Sequence, residues 1–493
     1  MRHGAAAGFG ALALVMLAPL VARGAPPDAL GPAAPLAEAQ GGFVGSMTLA
    51  PEHGPAGTPV TVTAAGLPAD QPVDLVWRTV EGRWNVAGAE YHGRTYAPEA
   101  YRIAALRSDA AGHLAATFAA PDDFGFAHDV TLQQGARLLT QAAFSIDMAV
   151  KLQSASGPAG GPIAIDVTGI GWRELENSWL LRYDNSFTGW ISAVTTRGAA
   201  HFAIPATGAP GTHVLEVMHG EFTFPYLNPQ QNPEPDRPRF GLLYTITPDP
   251  PVLPPDPAQQ AQTAIGGLPA AGALVAEPRF ASVGRDDVVR GSGLTPGKDY
   301  ELTWGTVTGN RVKQGGWEES ARPIARATAD ASGAAAFRFA VPDDLGGAHA
   351  VAVKDGDRVL AGNVVIATTA LPLDVARGPA GTKFTVHLKG VGWTETANIY
   401  TIVYDNNYVG YACGFNSQGD VTIQLSASGE PGWHFIDLYP AIYKGQENRP
   451  NNFRIPQLTY AADHPGEDLP HFRFAFEVTA DGHGEKASLN LLR

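Results

Sequence analysis

Cysteine is nearly absent from this sequence: 493 residues contain one, Cys413. No internal disulfide can form, so the fold has to rest on packed cores, and the lone thiol is expected to be buried and inert. Basic residues are also scarce. The 34 Lys and Arg stand against 48 Asp and Glu, a formal net charge of −14. Phosphate recognition and polybasic membrane anchoring both need clustered Lys and Arg, so no nucleic-acid partner is expected. Past the N-terminal stretch there is no run of 18 apolar residues, so no membrane insertion is expected once a signal has been cleaved. Catalytic signatures are missing as well: no GxSxG elbow, HExxH, P-loop or paired CxxC occurs. Neither an enzyme nor a cofactor is expected.

Gly (57) and Pro (40) are abundant, about a fifth of the chain against a usual share of roughly 12 %. With 44 % hydrophobic residues the chain should still fold, as a structure rich in turns. The N-terminus has the features of an export signal over residues 1–24. Arg2 and His3 give a positive start, an apolar stretch runs from Ala5 to Ala22, and Ala22-Arg23-Gly24 offers small residues for cleavage. The alternative is an N-terminal membrane anchor. Residues 25–42, rich in Pro and Ala, are expected to form a disordered leader. A periplasmic, cell-surface or secreted bacterial protein is the expectation.

The chain repeats itself at an offset of 221 residues. Gly157-Pro158-Ala159-Gly160 recurs at 378–381, Gly169-Ile170-Gly171-Trp172 as Gly390-Val391-Gly392-Trp393, and Tyr183-Asp184-Asn185 as Tyr404-Asp405-Asn406. Over 157–192 against 378–413, 13 of 36 positions are identical without a gap, too many at one offset for chance. A weaker period lies inside each half. His128, His213, His349 and His434 each lead an alternating apolar segment, and the spacing within both pairs is 85 residues. Four units follow, ordered A-B-A′-B′: 43–148, 149–250, 272–370 and 371–493, the last with a C-terminal extension. A Pro-rich linker spans 251–271, and the dense Pro run at 247–260 that overlaps its start favours a semi-rigid extended spacer.

Period-two alternation in Pro59-Val60-Thr61-Val62-Thr63 and in 383–388, punctuated by Gly-rich turns, marks half-buried strands. The fold class expected is all-β, with tandem immunoglobulin-like β-sandwich domains in a duplicated two-domain arrangement. The sequence GPAGTPVTVTAAGL, with GHLAATFAAPDD and HDVTL further on, resembles the bacterial IPT/TIG class of immunoglobulin-like repeats. Units B and B′ open in the same way, whereas A′ lacks the GPAG opening. The resemblance implies a sandwich fold and an extracytoplasmic location, and it implies no catalytic residues.

Several residues are candidates for function. The four repeated His residues suit one structural role reused at strand entries better than a metal site. The Asp residues of Pro121-Asp122-Asp123 and Pro342-Asp343-Asp344 could supply carboxylates to calcium or cap their own turns. Units B and B′ retain Tyr183, Asp184 and Asn185, matched by Tyr404, Asp405 and Asn406, and an acid at Glu216 and Asp437; these groups, with Tyr439, are expected either to bind a ligand or partner surface or to satisfy one another in a buried network joining B to A. Strand alternation puts Phe435, Asp437 and Tyr439 on one face. That face suits either stacking on a sugar or a domain interface in which the acid pairs with an Arg. Two long segments, 222–240 and 442–460, mix Pro, Asn, Arg and aromatics, and serve either as binding loops or as packing against a neighbouring unit. Trp172 and Trp393 are expected to be largely buried. The expected function is a non-catalytic envelope or extracellular protein in adhesion, scaffolding or ligand presentation, its partner a glycan or another extracellular protein. The alternatives are a carbohydrate-binding protein and a hydrolase with its site at a domain junction.

Overall fold

The computed structural model describes residues 33–34, 36, 42–221, 224–231, 237–260, 272–309, 316–443 and 454–480. The signal segment, most of the leader, residues 261–271 of the linker and the end of the C-terminal extension lie outside the described residues.

Eight strands build the first unit: β1 (Ser46–Ala50), β2 (His53–Gly54), β3 (Pro59–Ala65), β4 (Pro72–Ala87), β5 (Glu90–Arg107), β6 (Leu114–Ala119), β7 (Phe126–Gln134) and β8 (Arg137–Ile146). One sheet runs β1-β3-β6 and the other β2-β8-β7-β4-β5. Every pairing is antiparallel except that of β2, which lies parallel to β8. The reason for the layers is visible in β3, where Val60, Val62 and Ala64 are buried and the residues between them face solvent. This three-plus-five order, with a short strand beside the last one, is that of an immunoglobulin-like sandwich.

The same two sheets recur three times, as 3- and 5-stranded sheets in A′ and B′ and in B with one added strand, Phe224–Pro225. Each sandwich holds a bulky aromatic on its central strand: Trp77, Trp179, Trp304 and Tyr400, all fully buried. Among the described residues, helix is limited to the single turns Pro229–Gln231 and Pro257–Gln260.

The units are joined closely. In A and B, the Gly125 N–H donates to the Ile170 carbonyl, and a Cβ at Gly125 would collide with the Gly169 backbone. The duplicate repeats the joint, with Gly346 N–H on the Val391 carbonyl and Gly390 against the missing Cβ. Glycine is required here because two backbones meet in van der Waals contact.

The linker, expected to be a semi-rigid spacer, is also bonded to the units on either side of it. Val252 N–H bonds the Ala159 carbonyl, and Gln260 bonds the Arg473 backbone through both its Nε2 and its Oε1. Within the described residues 251–260 the path is bonded to B at Val252 and to B′ at Gln260.

Candidate functional site

The repeated histidines share one geometry. In each, Nε2 contacts the carbonyl four residues upstream: Phe124, Ala209, Leu345 and Glu430. The rings stack on an aromatic side chain, Trp77 and Trp304 in the A-type units, Tyr183 and Tyr404 in the B-type units. The second Asp of each PDD turn lies beneath. Asp123 accepts from Trp77 Nε1 at 2.9 Å and from the Phe124 N–H, and Asp344 accepts from Trp304 Nε1 at 3.0 Å and from the Leu345 N–H. Each carboxylate thus closes its own turn onto the core Trp.

The Tyr-Asp-Asn motifs sit at a tight hairpin in which both Asp and Asn have positive φ, near 46° and 69° in B and 48° and 61° in B′. That left-handed pair explains the residue types, because Asp and Asn tolerate it better than other non-glycine residues. Tyr183 and Tyr404 donate their hydroxyls to the carbonyls of Thr207 and Ser428. Asp184 accepts from His213 Nδ1 and the Val214 N–H, and Asp405 accepts from His434 Nδ1 and the Phe435 N–H. Burial would lower the His434 imidazole, but the bonded Asp405 carboxylate outweighs it and holds the ring above its ordinary value. Both partners of that ring accept hydrogen bonds, which suits its doubly protonated form. Glu216 pairs with Arg182 at 2.7 Å and Arg239 at 3.1 Å.

On B′, the face of Phe435, Asp437 and Tyr439 is covered rather than open, so it offers no ring for a sugar to stack on. Asp437, 1 % exposed, accepts from Arg473 Nε at 2.6 Å and contacts His471 Nε2 at 2.7 Å. Burial would raise its carboxyl, but Arg473 and His471 together hold it below the usual carboxylate value. The ring of Tyr439 joins the core of B together with Val403 and Leu458. The acid therefore pairs with an Arg at an interface, the second of the two roles that its position allowed.

The site that the structure does assemble is the joint between B and B′. The segment 455–463, which follows the long B′ loop, lies along the strand Ser186–Ile191 of B. Trp190 N–H donates to the Pro456 carbonyl at 2.7 Å, and Leu458 N–H donates to the Trp190 carbonyl at 2.8 Å. Gln457 Nε2 donates to Ser192 Oγ, and Thr459 Oγ1 receives the Ser192 N–H. Asp463 accepts from the Val194 and Thr195 N–H groups and from Trp84 Nε1 of the long β4–β5 hairpin. That hairpin also reaches B′ through its turn: Tyr91 N–H donates to Glu395, and Glu395 N–H to the Ala89 carbonyl. Asn406 is buried in the same joint, donating to the Pro205 carbonyl and Thr207 Oγ1 while its own carbonyl accepts from Thr188 Oγ1. Of the two roles open to the loop segment 442–460, its described end packs against a neighbour, and the neighbour is B rather than its own A-type unit. The segment 222–240 is described only at 224–231 and 237–240.

One expectation needs correction. Cys413 is exposed, since it ends the edge strand Asn407–Cys413, whose alternate residues face outward. Trp172 and Trp393 are mostly buried, in line with the expectation, but at unit junctions and not in a sandwich core. They lie at the A–B and A′–B′ junctions, Trp172 against Phe124, His128 and the Arg173 guanidinium, Trp393 against Trp317. Among the described residues, no three His, Cys, Asp or Glu side chains converge as a metal site, and no helix is long and apolar enough to cross a membrane.

No family model matches the sequence, and no curated protein matches it. Solved structures do align. A four-domain ectodomain fragment of ICAM-5 is 12 % identical, covering 84 % of this chain and 99 % of that one, at a TM-score of 0.16. A putative membrane anchored protein from Corynebacterium diphtheriae is 12 % identical over 65 % of this chain and 89 % of its own, at 0.19. Domains 1–6 of the surface layer protein SbsC give 11 % identity, 89 % and 55 % coverage, and 0.12. Scores this low carry no argument, and the immunoglobulin-like assignment rests on the strand order.

Proposed function

We propose that this chain is an exported, non-catalytic scaffold of a bacterial surface, periplasm or extracellular space, holding four sandwiches in a fixed arrangement so that their outer faces can meet other macromolecules. The supporting observation is where its polar chemistry goes. The Tyr-Asp-Asn motifs, the four histidines, Asp123, Asp344 and Asp437 all bond within the chain, and the most concentrated polar network joins B to B′ and to the hairpin of A. An enzyme keeps reactive groups facing a cleft, whereas here they close turns and joints. The export reading rests on the N-terminal residue pattern. It is tested by expressing the full chain in a bacterium, fractionating the cells and treating intact cells with protease. A shortened chain in the periplasm, at the surface or in the medium supports the reading. An unprocessed chain in the cytoplasm contradicts it.

A further inference from the structure

We propose that the free edge of B′, at Val409 and Tyr411, is the docking site for the B unit of a second copy of this chain. The arrangement would repeat between chains the head-to-tail contact that joins B′ to B within one chain.

The offset of 221 places every part of the joint twice. On B the receiving edge consists of Thr188, Gly189, Trp190 and Ser192, with Pro205 and Thr207 beside it. The matching positions on B′ are Val409, Gly410, Tyr411, Cys413, Ser426 and Ser428. Among the described residues the first edge is covered and the second is not. Trp190 is 1 % exposed and Tyr411 42 %; Thr188 is buried, while Val409 is 54 % exposed. A Cβ on Gly189 would meet the Pro456 carbonyl at 2.7 Å, whereas one on Gly410 would meet nothing within 4 Å. Arg454 donates to the Tyr411 hydroxyl at 2.8 Å, and its guanidinium lies over the Tyr411 ring.

The inserting side is duplicated too. Asn406, buried in the joint, is matched by Asn185, which has the same left-handed backbone and lies exposed on B. The groups that Asn406 meets, the Pro205 carbonyl and the Thr207 hydroxyl, are matched by the Ser426 carbonyl and the Ser428 hydroxyl. The loop before the last strand supplies the covering segment in B′, and in B it holds Phe224 and Leu227 outward. A reciprocal contact within the chain would already have joined Asn185 to Ser426 and Ser428, yet all three are exposed. The joint is thus one-directional, and a one-directional contact leaves an unfilled receiver at one end and an unfilled inserter at the other. Between copies, such contacts build rings or open series. The edge strand Asn407–Cys413 has no Lys or Pro, and its β-bulge at Val409 repeats the one at Thr188 on the edge that is covered.

The proposal rests on the geometry of the joint and not on where the protein resides. It is tested by sedimentation velocity on the mature chain across a concentration series, with Val409→Glu to block the receiver and Asn185→Arg to block the inserter. Both positions are exposed, and an unchanged melting temperature checks that each variant folds. The wild type is expected to form dimers and larger species as concentration rises, each variant alone to stay monomeric, and an equal mixture of the two to give dimers and nothing larger. A wild type that stays monomeric throughout overturns the proposal. So does an Asn185→Arg variant that still dimerises while Val409→Glu does not, because that pattern means that the two B′ edges pair with each other.

Discussion

Asp437 shows what the buried polar residues do in this protein. Its carboxylate lies between Arg473 and His471 with almost no solvent contact. Replacing it by Asn leaves the Arg473 guanidinium buried without its counter-charge, a loss of about 3–5 kcal/mol. Chemical denaturation should show that loss, while Asp343→Asn, at an exposed pair with Lys389, should change stability by less than about 1 kcal/mol. Two of the ionic contacts of B′, at Asp437 and His434, also respond to pH in opposite directions. Asp437 has a depressed folded pKa, so its contribution is present above the ordinary carboxylate value of 3.8 and disappears as pH falls through the lower folded value. His434 has a raised folded pKa. Its contribution is complete below the ordinary imidazole value of 6.5 and is lost as pH rises through the raised one. A His434→Gln variant should therefore lose most stability relative to wild type near about pH 5 and much less near about pH 9, as read from thermal melts at each pH. The sequence showed that these residues were retained in both halves, but it could not show which way they face. Alternation put Asp437 on a face with two aromatic rings, and only the packing of Tyr439 into the core of B identified that face as an interface.

At the scale of elements, the strands were legible because their chemistry is local. Val60, Val62 and Ala64 alternate in sequence and in burial alike, and Phe384, Val386 and Leu388 do the same. The covering segment 455–463 was not legible, since its Pro, Gln and Leu form no periodic pattern and its partner lies more than 250 residues earlier. A cue did exist in the two halves themselves: Trp190 and Ser192 are matched by Tyr411 and Cys413, and the segment before the last strand is longer in B′ than in B. The segment depends on Gly189, where any side chain meets Pro456 and Leu458. Gly189→Leu should detach it, exposing Trp190 and shifting indole fluorescence to longer wavelength, with the A′ sandwich unaffected. A spectrum identical to wild type would mean that the segment does not depend on this contact. Gly125→Val should act likewise at the A–B junction, since a side chain there collides with the Gly169 backbone. Limited proteolysis should then cut between A and B, where the wild type resists.

At the scale of the whole molecule, four sandwiches act as one body because B′ is bonded into B, the A hairpin reaches B′, and the described part of the linker, up to Gln260, is bonded to both B and B′. Duplication alone does not imply this. Tandem sandwiches joined by Pro-rich linkers are ordinarily free to move, and relative motion is the usual expectation for small interfaces. Here the interface includes core residues, since Val403, Tyr439 and Leu458 pack into the B cluster and Ile455 packs with Leu180 and Trp190. Small-angle X-ray scattering of the mature chain, kept dilute enough to be monomeric, tests this most directly. The account predicts that one fixed arrangement of the four units fits the whole curve, and that Gly189→Leu combined with Asn406→Ala increases the radius of gyration. A wild-type curve that fits only as a mixture of extended and compact arrangements would contradict it.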